Sequence, residues 1–166
     1  MITSPSGALP RRPDVPVSAA DLAGMRLAIA EAVRAGDAGE VPVGAVVIAD
    51  GVVLAQAHNQ VKRRHDPTAH AERLVLTEAL AAARTDRLSG ATVYVTLEPC
   101  AQCAGAIVLT KVDRVVFGAW DPKAGMVGSI HDLLRHPSLN HRCEVVAGVL
   151  AEECGSLLQA FFGGLR

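Results

Sequence analysis

Two short motifs constrain the fold of this chain more than any other feature. His70-x-Glu72 lies where a helical pattern starts, and Cys100-x-x-Cys103 follows Pro99, where a second helical pattern starts. The stretch between them holds the rest of one helix, a turn and one strand. The two helix starts can therefore meet at one edge of a sheet, which requires a layered fold of strands and helices.

Apolar periodicity predicts the order of these elements. Helices are predicted after Ser18, where Asp21 completes a capping pair, and over 69–84, 99–110, 130–134 and 151–162. Strands are predicted over 43–49, 52–57, 91–97 and 112–119 and within 142–149. Asp50-Gly51 predicts an antiparallel hairpin between the first two strands. The long connection before the fifth strand predicts that the fourth and fifth strands are parallel, so we predict an α/β fold.

Length and composition indicate one globular domain. The chain has 166 residues, of which 50% are hydrophobic and 20% charged, and its net charge is −1. We predict a single domain over 18–166 and a disordered tail over 1–17, which is rich in Pro, Ser and Gly. No apolar run reaches the ~20 residues of a membrane helix, and the tail lacks the apolar part of a signal peptide, so a cytoplasmic protein is expected. With this net charge, nucleic acid can only bind a local patch, such as the basic run 62–65 on a predicted loop.

The motif residues are suited to hold zinc and to move protons. Cys100 and Cys103 are three apart, so both sulfurs face one side of a helical turn, and a helix N-terminus favours the thiolate. With His70 they make three ligands, which leaves a fourth position for water, as in catalytic zinc sites. Zinc lowers the pKa of its water, and Glu72 lies close enough to carry that proton to a substrate.

Each motif alone has another interpretation. His-x-Glu is often solvated helix surface, and Cys-x-x-Cys also occurs as a redox pair or as half of a structural zinc site. Cys143 and Cys154 could complete a four-sulfur site, although burial as small apolar residues suits their wide spacing better. Glu98 could be a second catalytic carboxylate or, more in keeping with its place before a proline, a support for the adjacent loop.

The two motifs in this order resemble the signature of zinc-dependent deaminases in the cytidine and deoxycytidylate deaminase superfamily. Over about 22–162, the chain further resembles the bacterial tRNA-specific adenosine deaminases. The residues that carry this second resemblance are 40–46 (Glu-Val-Pro-Val-Gly-Ala-Val), Asn59, 66–72 (Asp-Pro-Thr-Ala-His-Ala-Glu), 94–100 (Tyr-Val-Thr-Leu-Glu-Pro-Cys), 103–106, 114–119, 128–129 and 139–142.

The resemblance implies a three-layer cytidine deaminase-like fold, with a five-stranded mixed sheet and helices on both faces. It implies one zinc ion per subunit, held by His70, Cys100 and Cys103, with Glu72 as the catalytic proton shuttle. It also implies a hydrolase that converts adenosine to inosine at wobble position 34 of a tRNA anticodon loop, and a homodimer without a membrane partner.

The resemblance assigns two substrate contacts as well, Asn59 to the base and Asp121 to the nucleotide. The chain departs from some members in lacking a basic C-terminal extension and in having Trp120 where others have a basic residue. Because the fold and the motif are shared across the superfamily, a free-base or nucleotide deaminase acting on cytosine, guanine or dCMP is the alternative. A non-catalytic RNA-binding module with structural zinc is a further alternative, against which Glu72 argues.

Overall fold

A five-stranded mixed sheet forms the centre of the computed structural model, which describes residues 15–165. β1 pairs antiparallel with β2 and β3, whereas β3, β4 and β5 are parallel. The predicted hairpin and the predicted parallel pair of fourth and fifth strands are both confirmed. The strands lie in the order β2-β1-β3-β4-β5 and comprise β1 (Gly44–Ala49), β2 (Val52–His58), β3 (Ala91–Leu97), β4 (Arg114–Ala119) and β5 (Glu144–Ala147).

Helices cover both faces of this sheet, so the predicted three-layer architecture is confirmed. Successive strand residues point to opposite faces. Val47 and Phe117 pack in one core with α3 and α4, whereas Val46 and Val116 pack in a second core with α1 and α5. The helices within 15–165 are α1 (Ala19–Asp37), α2 (Val61–Arg64), α3 (Ala71–Ala83), α4 (Ala101–Thr110) and α5 (Ala151–Gly163).

The start of α1 is stabilised by its own capping hydrogen bonds and by an ion pair with the sheet. Ser18 Oγ accepts the Asp21 N–H at 3.1 Å, and Asp21 Oδ2 accepts the Ser18 N–H at 3.0 Å, which confirms the predicted capping pair. Asp21 is fully buried, and the Arg114 guanidinium of β4 pairs with both of its oxygens. Hydrogen bonding from Arg114 lowers the pKa of Asp21 to about 2, although burial alone would raise it.

Two local predictions are wrong, because hydrogen bonds that the sequence pattern does not reveal decide the structure there. Residues 130–134 form turns and not a helix. The Gly128 N–H donates to His131 O, the Leu133 N–H donates to Met126 O, and the helix-forming bonds are therefore replaced. The basic run was expected on a loop, but most of it belongs to the helical turn α2.

Element boundaries differ slightly from the predicted ones. The helices predicted from 69 and 99 begin at Ala71 and Ala101, which makes His70 and Cys100 their N-cap residues. Residues 1–14 and 166 lie outside the described residues, and with them most of the predicted tail 1–17. The single domain over 18–166 stays a prediction. Across the described part of the chain, no helix combines the length and apolar character needed to cross a membrane.

Candidate metal centre and substrate pocket

Two helix starts bring the candidate metal ligands together. His70 precedes α3 and Cys100 precedes α4, and neither side chain makes the hydrogen bond that usually caps a helix. Cys103 lies in the first turn of α4 and is fully buried. His70 Nδ1 is 3.6 Å from Cys100 Sγ and 3.5 Å from Cys103 Sγ. The ligand atoms of all three residues lie within 4.8 Å of one another.

These distances fit a tetrahedral zinc ion. With Zn–N of about 2.0–2.1 Å and Zn–S of about 2.3 Å, tetrahedral angles separate nitrogen from sulfur by about 3.6 Å. One imidazole and two thiols are also typical zinc donors. Among the described residues, this is the only group of at least three His, Cys, Asp or Glu side chains that converges in this way.

The other two cysteines do not join this cluster. Both are buried, with 5% of Cys143 and 1% of Cys154 exposed. Cys143 Sγ donates to the carbonyl of Val112 at 3.1 Å, and Cys154 packs directly beneath Gly118. Their positions support the interpretation as small buried residues and argue against a four-sulfur site.

The two clustered thiols have opposite pKa shifts. Hydrogen bonding from Cys103, reinforced by His70, lowers the pKa of Cys100 to about 4 despite its partial burial. The same hydrogen bond and burial raise the pKa of Cys103. One thiolate therefore forms readily, and the second resists ionisation beside it, so a divalent cation that ligates both would remove their repulsion.

Glu72 is a buried carboxyl group beside the metal cluster. It lies in the first turn of α3 and is only 4% exposed. Burial raises the pKa of Glu72 to about 7, while the charge of His70 opposes that shift. A group with a pKa in this range can both accept and release a proton near neutral pH.

A cavity of about 250 Å³ opens beside the cluster. Pockets for drug-sized ligands measure about 300–1,000 Å³, so this one suits a single small ring system. Asn59, which is 6% exposed, and Asp121 line it from the end of β2 and from the loop after β4. The structure thus brings the predicted substrate contacts to the same pocket as His70, Glu72 and Cys100.

Glu40 also lines the pocket, and sequence reasoning gave it no role. Its Oε1 accepts the Arg63 N–H at 2.7 Å, and its Oε2 accepts the Lys62 N–H at 3.1 Å and Asn59 Nδ2 at 3.5 Å. Glu40 therefore holds the start of α2, which explains why this run is helical. No local pattern indicates the role, because the backbone partners lie 22 and 23 residues away.

The basic side chains of α2 lie beside the pocket. Lys62, Arg63 and Arg64 are all exposed, and Lys62 also lines the cavity. Lys62 Nζ donates to Gly39 O at 3.1 Å and lies 5.5 Å from the centre of the Phe161 ring. The predicted basic patch is thus held at the pocket in a defined arrangement.

The amino-acid sequence of the chain matches a known protein family. Residues 18–119 match the model described as the cytidine and deoxycytidylate deaminase zinc-binding region. The chain belongs to this family of zinc-binding deaminases. The predicted enzyme class and the predicted zinc cofactor are thereby confirmed, since the family's zinc-binding region includes the convergent His and Cys cluster.

Within this class, the chain is similar to proteins of one particular kind. The tRNA-specific adenosine deaminase of Bacillus subtilis is 54% identical over 142 residues, which cover 86% of this chain and 88% of that protein. The tRNA-specific adenosine deaminase of Aquifex aeolicus is 45% identical over 86% of this chain and 93% of its own length. A solved structure from studies of A-to-I editing by tRNA:A34 deaminases at the wobble position superposes with a TM-score of 0.79 at 42% identity, covering 82% of this chain and 99% of the other.

Proposed function

We propose that this protein hydrolyses the wobble adenosine of a tRNA anticodon, at position 34, to inosine. The observation that carries the proposal is the convergence of His70, Cys100 and Cys103 beside a small pocket that His70, Cys100 and the buried Glu72 line. It is supported by the 54% identity to a tRNA-specific adenosine deaminase.

The proposed mechanism divides the work among four side chains. His70 Nδ1 and the sulfurs of Cys100 and Cys103 hold zinc, which when bound supplies a Lewis acid that makes water nucleophilic near neutral pH. The Glu72 carboxylate takes a proton from the attacking water and delivers it to a ring nitrogen of the base. Glu72 then takes the proton of the hydroxyl group now on the base and passes it to the amino group as the C–N bond breaks, so that adenosine and water yield inosine and ammonia.

The remaining pocket residues would select and place the base. Asn59 offers an amide that can hydrogen-bond the base edge, and Asp121 lies where it can contact the nucleotide. The small cavity admits one base, which must unstack from the adjacent bases of the RNA before it enters. An anticodon-loop base is already unpaired, so this step costs little.

The basic turn α2 would bind the RNA backbone. Its exposed Lys62, Arg63 and Arg64 can neutralise phosphates next to the flipped base. Because the net charge of the chain is −1, this local patch and not the whole molecule would attract RNA.

We further propose a homodimer with one zinc ion per subunit, located in the cytoplasm. The resemblance to homodimeric deaminases supports the dimer, and Leu109 on α4, which is 77% exposed, and Ile130, which is 51% exposed, are candidates for its interface. A reducing cytoplasm would keep the thiol ligands available. Sedimentation equilibrium at micromolar concentration should give twice the chain mass, and a monomer mass would contradict the dimer.

The substrate is tested with a set of matched RNAs and free bases. Purified zinc-loaded enzyme is incubated with an anticodon stem-loop bearing adenosine at position 34, with the same stem-loop bearing adenosine only at a neighbouring position, and with free cytosine and guanine. Inosine should form only in the first RNA. Turnover of a free base without inosine in RNA would favour the alternative and overturn the proposal.

A further inference from the structure

The loop that follows β4 is organised around one buried carboxylate. We propose that Glu98 is a positioning residue that fixes residues 121–129, here called the wall segment, as one side of the substrate pocket. The effect on RNA binding rests on the proposed function, but the effect on the wall segment can be measured without any substrate.

All the hydrogen bonds of the Glu98 carboxylate come from the wall segment. Its Oε1 accepts the backbone N–H groups of Val127 and Ser129, each at 3.0 Å. Its Oε2 accepts the Asp121 N–H at 2.9 Å and the hydroxyl of Ser129. Glu98 is 1% exposed, so water does not compete for these oxygens.

The wall segment also folds back tightly on this carboxylate. A Cβ at Gly125 would lie 2.1 Å from Glu98 Oε2 and 2.6 Å from Asp121 O, so only a residue without a side chain fits there. The Gly125 N–H donates to Asp121 O at 2.8 Å, and Asp121 Oδ1 accepts the backbone N–H of Lys123 at 3.0 Å. Hydrogen bonds within the turn 121–125 therefore hold it tightly against the Glu98 carboxylate.

This arrangement gives Glu98 a role different from that of Glu72. An ionised carboxylate offers about four acceptor positions, and the wall segment supplies four donors to Glu98. Glu98 thus has no remaining position for proton transfer. Its consequence for the reaction is geometric, because Asp121 and Ala124 of the wall segment line the pocket.

The chain carries its own reporter for the wall segment. Trp120, the only tryptophan in the sequence, directly precedes the segment and is half exposed. Its ring contacts Phe117 edge-on with the ring centres 4.9 Å apart, and a Cβ at Gly128 would lie 3.1 Å from Trp120 Cζ3. Movement of the wall segment would therefore change the environment of this indole.

The first experiment compares Glu98→Gln with the wild-type protein and with Glu153→Gln, an exposed residue of α5 that serves as the control. The amide must turn an N–H₂ group toward backbone donors, so the wall segment should loosen. In the zinc-loaded protein without substrate, we expect red-shifted Trp120 emission and quenching by acrylamide that is about twofold stronger, with zinc still near one per chain. Unchanged emission and quenching would overturn the proposal.

The second experiment measures stem-loop deamination by the same proteins. The KM of Glu98→Gln should rise about tenfold while kcat stays within about threefold, because a lost charged hydrogen bond misplaces a binding wall and not the proton carrier. A turnover rate that falls by about two orders of magnitude at unchanged KM would instead make Glu98 a proton-transfer group. If the wild-type protein does not act on the stem-loop, the proposed function fails while the fluorescence result still decides the role of Glu98.

A milder variant covers the case in which Glu98→Gln does not fold. Ser129→Ala removes only the hydroxyl donor and leaves every backbone contact to Glu98 in place. We expect a smaller shift in Trp120 emission and a KM rise of about threefold, consistent with one lost hydrogen bond. An unchanged emission and KM in Ser129→Ala would contradict the proposal in that case.

Discussion

Two glutamates of the pocket show how the surroundings of a side chain determine its role. Glu98 and Glu72 are both almost fully buried. The Glu98 carboxylate is surrounded by backbone donors, whereas burial raises the pKa of Glu72 to about 7. The first environment holds a loop in place, and the second suits a group that exchanges protons.

Replacing Glu72 should separate metal binding from catalysis. In Glu72→Gln the amide keeps the shape of the side chain but cannot carry a proton, so deamination should fall by about 10²–10⁴-fold. Zinc should stay near one per chain, since the proposed ligands are His70, Cys100 and Cys103. Inosine formation and metal analysis measure the two effects, with the exposed Glu78→Gln of the same helix as the control. Activity near the wild-type level would show that Glu72 is not the proton carrier.

The convergence of the candidate ligands could be predicted from local motifs, whereas their role as zinc ligands stays a prediction. The cluster of His70, Cys100 and Cys103 was predicted because the two cysteines are three residues apart and because both motifs lie at helix starts that can meet at one edge of the sheet. Glu40 was given no role of its own, since an acidic residue after a turn resembles any loop residue until its distant partners on α2 are known. Whether Asn59 and Asp121 contact the substrate stays a prediction.

At the scale of elements, the close approach of α1 to β1 depends on one glycine. A Cβ at Gly44 would lie 2.1 Å from the carbonyl oxygen of Ala28 and 2.5 Å from the Ala32 nitrogen. Both obstacles are helix backbone, which cannot rotate away as a side chain can. The backbone of α1 therefore packs directly against the backbone of β1.

Adding a methyl group at this contact should destabilise the protein. We expect Gly44→Ala to lower the free energy of unfolding by about 1–3 kcal/mol, the usual cost of overpacking. The control is Gly155→Ala in α5, where an added Cβ meets nothing within 4 Å, and where a helix interior should gain up to about 1 kcal/mol. Urea unfolding of the zinc-loaded proteins measures both, and equal stabilities would contradict the inferred contact.

Local sequence patterns do not predict the secondary structure of every segment. Strands and long helices were predicted because apolar residues repeat with the period of each element. Residues 130–134 have a helical pattern too, but their own backbone groups pair with Met126 and Gly128 and not with one another. Such pairing depends on the folded arrangement and leaves no trace in the local sequence.

At the scale of the whole molecule, one partly buried ion pair connects distant parts of the chain. Arg114 joins Asp21 at the start of α1 to Glu144 of β5, with 3.3 Å between Arg114 Nε and Glu144 Oε1. Tyr94 Oη also donates to Asp21 Oδ1 at 3.5 Å. The pair thus connects a helix of the outer layer to three neighbouring strands of the sheet.

This ion pair should make stability depend on acid in a defined range. The pKa of Asp21 falls from 3.8 to about 2 on folding, so its ionised form stabilises the protein above pH 4, and this contribution disappears as the pH falls from about 4 to 2. A shift of this size corresponds to about 2 kcal/mol. Asp21→Asn should therefore be less stable than the wild type at pH 6, with a smaller difference at pH 3.

Urea midpoints at the two pH values measure this difference under identical metal conditions. The exposed Asp86→Asn provides the control, for which no such pH-dependent difference is expected. A difference between Asp21→Asn and the wild type that is as large at pH 3 as at pH 6 would contradict the role given to the ion pair.

The helix starts at His70 and Cys100 affect how much of the folded protein persists in a cell. A side chain that caps its helix is worth about 1 kcal/mol, and neither residue provides that bond. A metal that binds only the folded chain supplies stability by mass action. Scarcity of zinc would thus reduce the amount of folded protein as well as the catalytic turnover of each molecule. The zinc supply of the organism would therefore limit the capacity for this reaction in two ways.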